Sequence, residues 1–341
     1  MPLAGRGFLG VDFFFVLSGF LITTLLLREE SARGFFSLRG FYWRRTLRIV
    51  PVYFFVVTAA VLWFVILKGN WQWLAQVPFY YVFLTNFLHV RVPLLAPTWS
   101  LSVEEQYYLV WPLLLRLVPR RRVLAVLTGL IAANVLGIMG AFEGLGLHAF
   151  DLGPLRIALP NATYAPILMG SALALLLQNP RGFAVLYRLF GWREAAPVLF
   201  AAILVLMVVL PDDLRGLPNL ALHLAMSAAL ASLVLREDQW LARVLTWRPV
   251  ARVGEISYGI YLYHLIGLQL ATMILEPMGW TSLWGKLVLY TLVSILLAEV
   301  SYRTLEAWAR GLRSPKPAQA AMPRVRTEGM AGPPDSPRRQ G

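Results

Sequence analysis

The chain has 341 residues, of which 58% are hydrophobic and only 14% charged, with 12 Trp, 13 Tyr and 19 Phe. A water-soluble domain carries about 25% charged residues, so this composition excludes a soluble globular protein and points to a lipid bilayer. The net charge of +13 sits in short basic blocks between apolar runs, a topology signal that argues against a nucleic-acid partner, and the absence of Cys excludes disulfides, thiolate metal sites and a Cys nucleophile.

Apolar runs of membrane-spanning length lie near residues 8–27, 49–67, 99–118, 123–142, 164–178, 196–210, 219–235, 256–275 and 284–306. A tenth stretch, 77–90, is shorter and contains Asn86 and His89; it fits a span, a re-entrant piece or an interfacial aromatic segment. The expected fold is an all-α polytopic transmembrane helix bundle of about 9 to 10 spans. Under the nine-span arrangement, alternate loops hold 17 and 4 basic residues. Cytoplasmic loops collect Arg and Lys, so the N-terminus is expected outside and the C-terminus cytoplasmic. Because the first span opens at about Phe8, this orientation implies one more helix upstream. Residues 1–309 read as one membrane domain, and 310–341, rich in Pro, Gly and Arg, as a disordered basic cytoplasmic tail. No internal repeat of the secondary-transporter kind is visible.

Ionisable groups within spans are costly and therefore point to function. The first span carries Asp12 near its outer end, consistent with either a buried acid lining a cavity or a first-turn carboxylate facing water. In the following loop, Arg44, Arg45 and Arg48 stand beside Phe41, Tyr42 and Trp43. Arg45 and Arg48, at i and i+3, share a helix face suited to phosphate, although positive-inside anchoring explains the composition equally well. The third span opens with Trp99 and Ser100, then Glu104 and Glu105; adjacent carboxylates here suit acid–base work. Ser102 with Glu105 also matches a capping box, which leaves Glu104 the less explained of the pair. Later, Ser257, Tyr261 and His264 fall on one helical stripe, placing His264 in the bundle as a core histidine or a functional one. Glu299, Arg303 and Glu306 are expected to form an ion chain along the last span. The four histidines, His89, His148, His223 and His264, lack metal-ligand spacing, and no metal is expected.

Together, GVDFFFVLSGFLI (10–22), FYWRRTLRIVPVY (41–53), TWSLSVEEQYYLVWP (98–112) and VGEISYGIYLYHLI (253–266) resemble acyltransferase family 3 of integral membrane proteins, with SYRTLE (301–306) a looser match. The resemblance implies a cell-membrane bundle of about ten helices that moves an acyl group, usually acetyl, from acyl-CoA to a hydroxyl of a carbohydrate or other small acceptor. It implies that Arg45 and Arg48 serve the acyl donor, and that Asp12 and Glu104 occupy the family's acidic positions. Trp99, Ser100, Glu105, Tyr261 and His264 are further candidates within the matching segments. Family members usually begin with an additional helix bearing Arg or Lys and a catalytic His. This sequence shows no such helix before GVDF, so a longer gene product or an inactive copy is expected. A transporter or flippase of a small amphiphile is the rival reading.

Overall fold

A computed structural model describes residues 6–142, 150–157, 164–211, 216–280 and 282–312. Helix α1 (Leu9–Arg33) is apolar along most of its length, carries Asp12 in its first turn and stops at Gly34, whose positive φ of 78° turns the chain. Helix α2 (Leu38–Ala60) is capped by Ser37, which accepts from the Gly40 N–H, and runs on as a wider π-helical stretch, Val61–Leu67. The expected ambiguity at 77–90 resolves into a short helix α3 (Val77–Tyr81) and a 3₁₀ turn at Thr85–Phe87, neither of spanning length. Helices α4 (Thr98–Leu117) and α5 (Arg120–Ile138) follow, then a two-stranded antiparallel hairpin, β1 (Phe150–Leu152) with β2 (Leu155–Ile157). The chain continues through α6 (Ala165–Gln178), α7 (Pro180–Phe190), α8 (Ala195–Val209) and α9 (Leu217–Leu235). It finishes with α10 (Ala242–Leu245), α11 (Arg248–Leu275), α12 (Leu283–Arg303) and α13 (Leu305–Gly311).

Each of the nine apolar runs falls on a helix. Six helical segments among the described residues are long and apolar enough to cross a bilayer, or seven if α7 and α8, bent by 72°, count as one. The shortfall has visible causes. Helix α4 carries Glu104, Glu105 and Arg116, and α6 and α8 have only 14 and 15 residues.

Helices α1 and α6 cross where Gly19 meets the Ile167 carbonyl and Gly170 meets the Val16 carbonyl; a Cβ at either glycine would collide with backbone. Small residues let membrane helices approach this closely, which strengthens dispersion where lipid removes the hydrophobic drive. Helices α11 and α12 pair the same way through Gly259 with Ala298 and Gly267 with Ser294. The apolar core forms three neighbouring clusters. One joins α1, α4, α5 and α6, one joins α2, the 77–95 loop and α11, and one joins α1, α6, α8 and α9.

Two sequence expectations are corrected. The capping box does not form, because α4 begins at Thr98; Ser102 lies inside it, with its hydroxyl 2.8 Å from Thr85 Oγ1. The ion chain on the last span breaks, because the helix closes at Arg303 and Thr304 (φ −107°, ψ −84°) redirects the backbone. Glu299 takes Arg303 at 2.5 Å and Arg252 of α11 at 2.8 Å, whereas Glu306 lies 3.6 Å from Arg310. The expected tail lies outside the described residues from 313 onward, and Arg310 and Gly311 belong to α13.

Gly170→Val should separate α1 from α6 and destabilise the bundle by about 3 kcal/mol or more, read as a lowered thermal midpoint in detergent. Gly10→Ala, which meets no neighbouring atom, should leave the midpoint close to wild type.

Candidate functional site

Helix α1 presents its polar residues on two faces. Asp12 and Ser18 are six positions apart, a rotation of roughly 240° at 3.6 residues per turn. Asp12 therefore turns toward α9 and Ser18 toward α4.

On the α4 side, Glu104 is 3% exposed and its Oε1 accepts a hydrogen bond from Ser18 Oγ at 2.8 Å. The Tyr108 hydroxyl donates to the same Ser18 oxygen at 3.3 Å. One turn deeper along α1, Thr23 accepts from the Trp111 indole N–H at 2.9 Å, and Tyr107 pairs its hydroxyl with Ser171 of α6 at 2.6 Å. A ladder of hydroxyls and aromatic rings thus joins α1, α4 and α6. Buried polar atoms need such partners, since an unmet donor or acceptor costs about 1–3 kcal/mol.

Arg45 of α2 reaches into this centre. Its guanidinium lies 5.3 Å from the Tyr108 ring centre and 5.9 Å from that of Phe41, stacking distances at which a cation is drawn to an aromatic face. Glu104, Glu105 and Arg48 are its charged neighbours. Glu105 Oε1 is buried without a hydrogen-bond partner among the described residues. Arg48 does not enter beside Arg45; it is exposed, with Glu306 of α13 in its field. The expected arginine pair is therefore one half-buried cation against a carboxylate pair and one at the rim.

The 77–95 loop closes over α4. Gln106 donates to the Phe83 carbonyl at 2.8 Å and to Asn86 Oδ1 at 2.9 Å, and also accepts from Tyr164. Arg91 ties down the Thr85 carbonyl at 2.8 Å, and His89 pairs with Asp151 of β1 at 2.7 Å. Phe83 holds a left-handed backbone (φ 54°), which for a bulky residue signals a conformation imposed by its surroundings. Its ring stacks on Tyr53 at 4.5 Å.

The remaining candidates divide. Trp99 meets Phe15 edge-on at 6.0 Å between ring centres, a packing role in the α1–α4 core. Ser100 and Tyr261 come together, hydroxyl to hydroxyl at 2.6 Å, and Tyr261 donates to the Pro97 carbonyl at 2.8 Å, locking α11 to the start of α4. His264 Nδ1 lies 2.6 Å from the Tyr261 carbonyl of its own helix, and the residue is half-buried. The predicted stripe is only partly internal, since Ser257 is exposed and bonds to the Gly254 carbonyl.

Asp12 is buried at 5% exposure, and the structure brings it a partner that spacing alone did not reveal. His223 of α9, 1% exposed, sets Nε2 3.2 Å from Asp12 Oδ2, off the direction of a ring N–H hydrogen bond. The one sequence signal was a histidine in the midst of an apolar, alanine-rich span. Asp12 and Glu104 thus belong to two separate polar centres on different faces of α1. No group of three or more His, Cys, Asp or Glu among the described residues is arranged to hold a metal ion.

The profile of the family described as Acyltransferase domain matches residues 3–303. The chain belongs to this family. Relatives in the family include YrhL of Bacillus subtilis (strain 168), 31% identical over 91% of this chain and 52% of its own length. The peptidoglycan O-acetyltransferase OatA of Listeria monocytogenes is 28% identical over 89% of this chain and 51% of its own. The O-acetyltransferase OatA of Staphylococcus aureus (strain NCTC 8325 / PS 47) is 24% identical over 88% and 52% respectively. The chain thus spans about half the length of the curated relatives it matches. No solved structure matches it significantly. All four segments that carry the resemblance lie inside the family match, and so do Arg45, Glu104 and the hydroxyl ladder between them.

Removing one partner of a buried pair should cost more than removing both. Ser18→Ala should lower stability by about 1–3 kcal/mol by stripping the Glu104 donor, and Ser18→Ala with Glu104→Leu should recover most of it. Chemical denaturation in detergent, run as a double-mutant cycle, measures the difference.

Proposed function

We propose that this chain is the membrane unit of an O-acetyltransferase that moves an acetyl group from acetyl-CoA to a hydroxyl of a cell-wall glycan. The observation that carries the reading is the half-buried Arg45 beside the buried Glu104 within the family's matching segments. The printed names of the Listeria and Staphylococcus relatives support O-acetyl transfer, and the Listeria name supports peptidoglycan as acceptor. We read the nine helices that coincide with the apolar runs as nine passes of the cell membrane, with the basic loops and the C-terminus cytoplasmic, on the strength of loop charge.

In this reading Arg48, at the rim, meets the donor's phosphates as a bidentate guanidinium does. Arg45 faces the thioester carbonyl, where a fixed cation stabilises the oxyanion that forms on attack. Glu104 takes the proton of the acceptor hydroxyl as its oxygen bonds to the acyl carbon. The carbon–sulfur bond then breaks, and the departing CoA sulfur receives that proton. Ser18 and Tyr108 hold Glu104 in place. Asp12 with His223, on the other face of α1, is a second acid–base candidate.

The donor step is separable from the chemistry. Acetyl-CoA at about 100 times its Kd should stabilise the purified protein by about 2.7 kcal/mol, raising its thermal midpoint. Arg45→Ala with Arg48→Ala should abolish that rise while membrane insertion persists, and Glu104→Gln should keep the rise and lose transfer to a soluble glycan acceptor. A wild-type midpoint indifferent to acetyl-CoA would reject the donor assignment and favour a transporter.

A further inference from the structure

The basic end of the bundle holds a cleft whose lining includes neither Arg45 nor Glu104. Toward that end from the Gly19–Gly170 crossing, α1, α6, α7 and α9 border an open cleft of about 530 Å³, within the roughly 300–1,000 Å³ of small-molecule sites. Phe20, Leu27, Ala174, Leu177 and Val234 give it an apolar wall, with Phe183 contributed by α7. Arg28 and Ser31 of α1 and Gln178 of α6 supply polar groups. Phe20, Thr24 and Ser31 are not on the α1 face that carries Ser18 and Ile22 toward α4, so this cleft and the Glu104 centre are different sites.

Arg28 is the informative residue. The acids beside it are already engaged, Glu29 by Arg33 and Arg44 and Glu30 by Arg120. Arg28 is exposed and has no ion pair or hydrogen bond among the described residues. Helix α7 extends the same chemistry. None of its 11 residues is buried, Phe183, Val185, Tyr187 and Leu189 are exposed, and its axis turns by 72° from α8. The segment from 179 to 194 carries Arg181, Arg188 and Arg193 against one acid, Glu194. A short helix with exposed apolar side chains and arginines, turned away from the neighbouring span, suits the bilayer interface.

We propose that this cleft binds an anionic diacyl phospholipid from the leaflet on the basic side, with an acyl chain along the apolar wall and the phosphate at Arg28. Charge complementarity selects this occupant over a zwitterionic lipid, because the acids beside Arg28, Glu29 and Glu30, are engaged elsewhere and leave its charge to a ligand. A basic residue near a membrane surface favours anionic lipid by about 1 kcal/mol, close to five-fold in affinity. The proposal is independent of the acetyl-transfer reading.

The test uses the whole chain, delipidated in neutral detergent and titrated with phosphatidylglycerol or phosphatidylcholine of matched chains. Native mass spectrometry and the thermal midpoint are both read. Phosphatidylglycerol should bind about five-fold tighter than phosphatidylcholine, Arg28→Gln should erase that difference, and Val234→Trp, which fills the cleft from an exposed position, should weaken both lipids. Glycerol 3-phosphate alone should not compete. Equal affinity of the wild type for the two lipids, unchanged binding by Val234→Trp, or competition by glycerol 3-phosphate would each overturn it. Should Arg28→Gln fail to fold, Val234→Trp still decides the case.

Discussion

The close crossing of α1 and α6 governs the arrangement around it. With Gly19 and Gly170 set against carbonyls of the facing helix, α1 cannot rotate or slide without a backbone clash. Its other faces are then assigned. Ser18 must meet α4, Asp12 must meet α9, and Phe20, Thr24, Arg28 and Ser31 must border the cleft shared with α7 and α9. A single helix thereby carries three different chemistries without any of them interfering, because helical rotation separates positions that are close in sequence.

The centre between α1, α2 and α4 illustrates how a carboxylate is kept inside a low-dielectric bundle. Glu104 has a hydroxyl donor in Ser18, a second hydroxyl behind it in Tyr108, and a guanidinium nearby that is itself seated on aromatic rings. None of these contacts is a direct ion pair with Glu104. A buried carboxylate locked to an arginine is hard to separate from it, and an arginine held by ring faces keeps its N–H groups available for a ligand. The 77–95 loop contributes by rigidity, since Gln106 and Arg91 fasten its carbonyls and Phe83 accepts a backbone conformation that an isolated chain would avoid.

Much of the scaffold was legible in the sequence. Apolar runs of spanning length located nine helices, because burial in lipid or in neighbouring helices demands the same composition along the whole segment. The carboxylate and arginine positions were legible for the opposite reason, as charges that apolar segments do not carry without cause. Legibility failed where three-dimensional contact decided. Ser102 and Glu105 have the spacing of a cap, yet helix α4 starts earlier and Ser102 bonds to Thr85 across the loop. Glu306 has the spacing of a continued helix, yet Thr304 turns the backbone and gives it to Arg310. His223 pairs with a residue more than two hundred positions away, a relation with no periodicity to betray it.

The helices also differ in length, but the bilayer meets hydrophobic length rather than helix length. At 1.5 Å per residue, the 30 residues from Leu38 to Leu67 extend roughly 45 Å, yet their apolar part, 49–67, extends roughly 28 Å, close to a hydrocarbon core of about 30 Å. The 14 residues of α6 extend roughly 21 Å, and none from 164 to 177 is exposed. Its shortness is therefore met by neighbouring helices, so that no lipid has to thin around it. A helix too short to match the membrane is tolerated where protein, not lipid, forms its surroundings.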